Sequence, residues 1–132
     1  MGARIVDQET IQRMIDAAIA ANPGGSSYLV YTALMSQTGA GAPVATVLQN
    51  TLGGTVVWTR QDVGDYRGTL AGVFTENKTF VLCSSNGVVG QIICLAGFGA
   101  GNPDNVTVFN YSDAAYTVTD NMEAYLEIRV YP

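Results

Sequence analysis

The chain has 132 residues, the size of one domain, and 48% hydrophobic against 13% charged residues excludes a disordered chain, which pairs low hydrophobicity with high net charge. With no histidine, 6 Lys+Arg and a formal charge of -5, it lacks the side chain most used for acid–base catalysis near neutral pH. It also lacks the basic cluster that neutralises phosphates, so neither an enzyme nor a nucleic-acid binder is expected.

The opening Met1-Gly2-Ala3-Arg4-Ile5-Val6-Asp7 brings charge before any apolar run, which is no secretion signal, and sets the expectation of a product made in the cytoplasm. From Asp7 to Ala21 the pattern is helical. Ile11, Met14, Ile15, Ala18 and Ile19 recur at i, i+3, i+4, i+7 and i+8, on one stripe. Asp7 is placed as the N-cap, Glu9 sits in the positive first turn, and Pro23-Gly24-Gly25 ends the helix. A helix of about four turns is marginal alone. Its stripe must therefore bury against the β domain of its own chain, against copies of itself, or against a partner. Pro23-Gly24-Gly25-Ser26-Ser27 reads as a hinge, which makes residues 1–25 an attachment leader and residues 26–132 a separate β domain.

After the hinge the chain reads as strands. Tyr28 to Met35, Val44 to Leu52, Thr55 to Arg60 and Asp65 to Ala71 are β-favouring runs separated by turn-forming residues. Thr79 to Cys83 and Val88 to Leu95 flank Ser85-Asn86-Gly87, and Asn-Gly favours a type I′ turn, so a hairpin is predicted there. Val106 to Asn110 and Ala115 to Thr119 follow. Finally Met122, Ala124, Leu126, Ile128 and Val130 alternate with Glu123, Tyr125, Glu127, Arg129 and Tyr131, one face toward a core and one toward solvent. The expected fold is all-β: a single β-sandwich or jelly-roll-like domain preceded by a short N-terminal amphipathic helix. No apolar run is long enough to cross a bilayer, and membrane insertion is not expected.

The side chains offer little chemistry. Asp62, Asp65 and Glu76 lie in turn-like stretches beside Arg60, Arg67 and Lys78, where solvated charge is a simpler reading than a hydrolytic carboxylate pair. Asp104, Asp113 and Asp120 match no calcium-loop spacing, and Asx-turn roles are expected of them. Gly97-Phe98-Gly99-Ala100-Gly101 lacks the Lys-Ser/Thr of a phosphate loop and precedes a strand. Neither a catalytic residue, a metal site nor a cofactor is expected. Cys83 and Cys94 are too few for a disulfide framework, and without His or a CxxC they make no zinc site. Their apolar surroundings favour two buried free thiols, while a bridge between neighbouring strands stays open. Tyr111, Tyr116, Tyr125 and Tyr131 are candidate surface aromatics, suited to sugar stacking or to a subunit interface. Trp58, flanked by Val56 and Val57, suits a core as well as a ligand. So few charges on so apolar a chain point to a surface covered by other subunits, or else to a surface of Thr, Ser, Asn and Gln.

The stretch Pro43-Val44-Ala45-Thr46-Val47-Leu48-Gln49-Asn50-Thr51-Leu52-Gly53-Gly54-Thr55-Val56-Val57-Trp58-Thr59-Arg60 is followed by Gly64-Asp65-Tyr66-Arg67-Gly68-Thr69-Leu70. Together they resemble small β-rich virion proteins of tailed phages and prophages of Bacteroidetes-type bacteria, of the head-fibre, tail-fibre or decoration type. The leader Ile5-Val6-Asp7-Gln8-Glu9-Thr10-Ile11 is similar to the capsid-attachment leaders of such head fibres. The resemblance covers the leader and the first half of the β region, and it includes no catalytic signature. It implies a non-enzymatic structural protein, made in the host cytoplasm and carried on the virion, that needs no cofactor. It also implies attachment through the N-terminal segment to the phage capsid or another virion protein, and self-association as a homotrimer first and a dimer second. A host surface glycan is a further candidate ligand. The chain has no room for a fibre shaft, which fits a short knob on the capsid better than a tail fibre. Two other classes stay open: a carbohydrate-binding β-sandwich using exposed Tyr and Trp, and a hydrolase using Asp65 or Glu76.

Overall fold

A computed structural model describes residues 7–21, 27–86, 91–98, 102–112 and 116–132, without the side chains at positions 19, 21 and 91–98. The helix α1 (Gln8–Ala21) begins where the sequence places its cap: Asp7 Oδ1 accepts the Thr10 amide at 2.7 Å. That hydrogen bond favours the ionised form and holds the Asp7 carboxyl below its ordinary value. Of the predicted hinge Pro23-Gly24-Gly25-Ser26-Ser27, all but Ser27 lies outside the described residues.

Eight strands follow: β1 (Leu29–Ser36), β2 (Val44–Asn50), β3 (Val57–Asp62), β4 (Asp65–Thr69), β5 (Thr79–Ser85), β6 (Gln91–Phe98), β7 (Asn105–Ser112) and β8 (Glu123–Val130). They form two four-stranded sheets, ordered β2-β1-β8-β5 and β3-β4-β7-β6, and every pairing is antiparallel. Early strands pair with late ones, β1 with β8 and β4 with β7, and the wrap closes where β5 passes to β6 in the facing sheet. This is a sandwich with a jelly-roll-like winding.

Period-two alternation explains which side chains meet inside. Met122, Ala124, Leu126, Ile128 and Val130 are all buried, as the alternation of the last strand predicts. They pack with Tyr31, Ala33 and Met35 of β1, and with Trp58, Tyr66, Val106 and Val108 from the facing sheet. Burying each large apolar side chain contributes about 1.5–3 kcal/mol. Trp58 is 7% exposed and donates its indole N–H to the Tyr31 hydroxyl at 3.2 Å, which settles it as a core residue. Its ring lies over Gly68 on β4, where an added Cβ would come within 2.8 Å of the indole.

Three expectations are corrected. The Asn86-Gly87 hairpin does not form a paired ribbon, because β5 pairs with β8 and β6 with β7, in different sheets. An Asn-Gly turn specifies local direction only. Here the pairing of β5 with β8 decides the sheet, and the Asn86 amide donates to the Glu123 carbonyl. Of the expected Ala115 to Thr119 strand, Ala115 lies outside the described residues and the rest reduces to one bridge, between Tyr111 and Val118. The free-thiol reading also fails: Cys83 is disulfide-bonded and no cysteine is free among the described residues, while Cys94, whose side chain lies outside them, is the one other cysteine in the chain. Its physical basis is that β5 and β6 adjoin across the two sheets.

Candidate functional site

The helix presents its apolar stripe to solvent. Ile11, Met14, Ile15 and Ala18 are all exposed, Met14 to 65%, while the Ile19 side chain lies outside the described residues. Of the described helix side chains only Thr10 is half-buried, and none belongs to the core. On the polar side, Gln12 Nε2 donates to Asp16 Oδ1 at 2.9 Å, one turn on. An amphipathic helix in this state has an apolar stripe that the described residues of its own chain leave uncovered.

A second apolar surface is the outer face of the β2-β1-β8-β5 sheet. The register aligns Leu34, Tyr125 and Ser84 in one row, Thr32, Glu127 and Leu82 in the next, and Val30, Arg129 and Phe80 in a third. A bulge in the β1–β2 pairing, between partners Val47 and Gln49, makes Leu48 the extra residue. Leu34, Leu82, Phe80 and Tyr125 are each exposed to between 41% and 49%, and Leu48 to 61%. A hollow of about 390 Å³ opens among Thr32, Leu34, Leu48, Leu82, Tyr125 and Glu127. The charges on this face are engaged: Glu127 pairs with Arg129, and Ser36 Oγ donates to Glu123 Oε1 at 2.9 Å. The Arg129 guanidinium lies 4.9 Å from the centre of the Tyr28 ring, which in turn meets the Tyr131 ring at 5.0 Å.

The described outer face of the other sheet mixes polar side chains with Val57, Phe109 and Tyr111. There Thr59, Arg67 and Thr107 share one row, beside Asp65. Asp65 Oδ1 and Arg67 Nε are buried without a hydrogen-bond partner. The candidate aromatics do not assemble into one platform. Tyr125 lies on the apolar sheet face, Tyr111 is half-buried on β7 of the opposite sheet, Tyr131 follows β8, and Tyr116 is exposed in the segment before Val118.

A polar clasp at one end of the sandwich escaped the sequence reading. Asp120, expected in an Asx-turn, instead binds Arg60: its Oδ2 accepts from Arg60 Nη2 at 2.8 Å and its Oδ1 from Arg60 Nε at 3.0 Å. The Gly64 amide donates to Oδ1 at 3.1 Å, and the Tyr66 hydroxyl lies 2.9 Å from it. The Arg60 guanidinium is the main reason that the Asp120 carboxyl is pulled down to about 2. Burial, reinforced by Asp120, pushes the Tyr66 phenol well above its ordinary range. Gln37 joins the clasp: its Oε1 lies 2.6 Å from the Tyr66 hydroxyl and accepts the Asn121 amide, and its Nε2 donates to the Gly39 and Gly41 carbonyls. Gly64, at φ +62°, fits because a Cβ would come within 2.6 Å of the Thr119 nitrogen. Arg60 and Asp120 are 60 residues apart, and no local pattern links them.

Of the other carboxylates singled out in the sequence, Asp113 lies outside the described residues, and three more serve the backbone or solvent. Asp62 Oδ1 accepts the Val63 amide, Asp104 Oδ1 accepts the Gly72 amide, and Glu76 is exposed in a turn. Among the described residues no group of three His, Cys, Asp or Glu side chains could hold a metal ion, and no helix is long and apolar enough to cross a membrane. Set against known proteins, the chain matches no family model, no curated protein and no solved structure.

Proposed function

We propose that this chain is a non-enzymatic structural protein of a tailed-phage virion, a short head fibre or capsid decoration that attaches through its N-terminal segment. The observation that carries the reading is the solvent-facing stripe of α1, an apolar surface that the described sandwich leaves uncovered. Ile11, Met14, Ile15 and Ala18 dock on the capsid or another virion protein, and the sandwich points outward. The protein associates with itself through apolar β surface, so that several weak helix contacts act together. The disulfide at Cys83 suits a protein that works outside the reducing cytoplasm in which it is made. A carbohydrate-binding role draws less support, since Trp58 is in the core and the exposed tyrosines are spread over different faces.

Sedimentation with phage particles stripped of this protein tests the reading. The full chain should pellet with the particles, and an Ile11→Asp, Ile15→Asp variant should stay in the supernatant with its β-sheet spectrum unchanged. Failure of the full chain to pellet contradicts the virion role. A helix variant that still decorates particles puts attachment on the sandwich.

A further inference from the structure

The outer face of the β2-β1-β8-β5 sheet has the size, the low charge and the position of a self-association surface. We infer that the occupant of this face is a second copy of the same chain, packed sheet against sheet over the hollow ringed by Leu34, Leu48, Leu82 and Tyr125. The inference rests on the oligomeric part of the proposed function and gives it an address.

Area is the first argument. Four strands of seven or eight residues, about 4.8 Å apart and rising about 3.3 Å per residue, cover roughly 500 Å² in projection. Side-chain relief raises the accessible area above the projected one. That brings it to the order of the ~800 Å² that each partner buries in a specific, stable interface. The hollow of about 390 Å³ gives side chains of the opposing copy a place to interlock.

Charge is the second. The chain as a whole carries -5, so two copies repel unless they meet where the charge is low. This face holds Glu123, Glu127 and Arg129; Glu127 is paired with Arg129, and Glu123 takes the Ser36 hydroxyl. A basic partner finds no acidic field here to recognise, and an acidic partner finds no basic one. An identical copy meets an apolar surface like its own, with little like-charge cost. A contact in which each copy uses this same face closes the assembly instead of extending it into a filament.

Position is the third. β1, the strand that α1 precedes in the chain, is an interior strand of this sheet. Copies apposed on this face therefore meet over the strand that α1 precedes.

Sedimentation velocity on the full chain at tens of micromolar tests this, with three double variants beside it. Leu34→Glu, Leu82→Glu places charge on the proposed interface, Val57→Glu, Gln61→Glu places the same charge on the opposite sheet, and Ile11→Asp, Ile15→Asp disables the helix. The wild type and the last two variants should sediment as one oligomer. The first should be a folded monomer, with a dissociation constant raised at least about 100-fold and the emission of Trp58 unchanged. If that variant unfolds, Tyr125→Gln reads the same interface at a position already 49% exposed. A monomeric wild type overturns the inference together with the oligomeric part of the proposed function, while helix attachment is still decided by particle sedimentation. An oligomer that survives every sheet-face variant, or that falls apart only with the helix variant, overturns the inference alone.

Discussion

Asp120 ties its own segment to one hairpin more than fifty residues away in the sequence: Arg60 on β3, the Gly64 turn and Tyr66 on β4. Its carboxyl lies at about 2 against an ordinary 3.8. The folded state therefore holds on to the charge longer than the unfolded chain does. The stabilisation is fully present above pH 4 and is lost as the pH falls through about 2, and it is on the order of 2 kcal/mol at neutral pH. Urea unfolding at pH 7, 4 and 2.5 should show the wild type weakening across that interval. An Asp120→Asn variant should start lower by about 2–4 kcal/mol at pH 7, and its margin below the wild type should shrink as the solution is acidified. The residues of the clasp were all visible in the sequence, yet their meeting was not. A charge in a turn-like stretch looks the same whether its partner is water or an arginine sixty residues away, and only the folded chain tells them apart.

Among the elements, those with strong local periodicity were legible from the residues alone. The stripe of α1, its Asp7 cap and the alternation of β8 all follow from spacings of 3.6 and 2. Where the sequence misled, the deciding force was non-local. Asn86-Gly87 has the chemistry of a hairpin turn, but the strands on either side of it join different sheets because β5 gains its hydrogen bonds from β8. The cysteines repeat the lesson. Each sits in an apolar run that suits a buried thiol, and only the approach of β5 to β6 makes a bond. With Cys94 the one other cysteine, the closed loop is short, and the bond should add about 3 kcal/mol to stability. Protein denatured without reductant should give no reaction with a thiol reagent, reduced and denatured protein should give two thiols, and reduction should lower the unfolding free energy by that amount. Two reactive thiols without reduction would contradict the bond.

At the scale of the whole molecule the chain divides its labour. The sandwich holds the core, the clasp and the disulfide, while α1 carries apolar surface that the core does not use. The site was half legible: the helix stripe is plain in the sequence, whereas the apolar sheet face depends on which strands become neighbours and on the bulge at Leu48. The central claim is that α1 serves assembly and not the stability of the fold. Trp58 is the single tryptophan and sits in the sandwich core, so its fluorescence reports on the sandwich alone. The most direct measurement is urea unfolding followed by Trp58 emission, comparing the full chain with a chain that begins at Ser27. The account expects the shortened chain to keep the native emission and to unfold in one cooperative transition with an m-value appropriate to a complete sandwich. A shortened chain that has lost the native emission, or that unfolds without a cooperative transition, would make α1 part of the core and contradict the account.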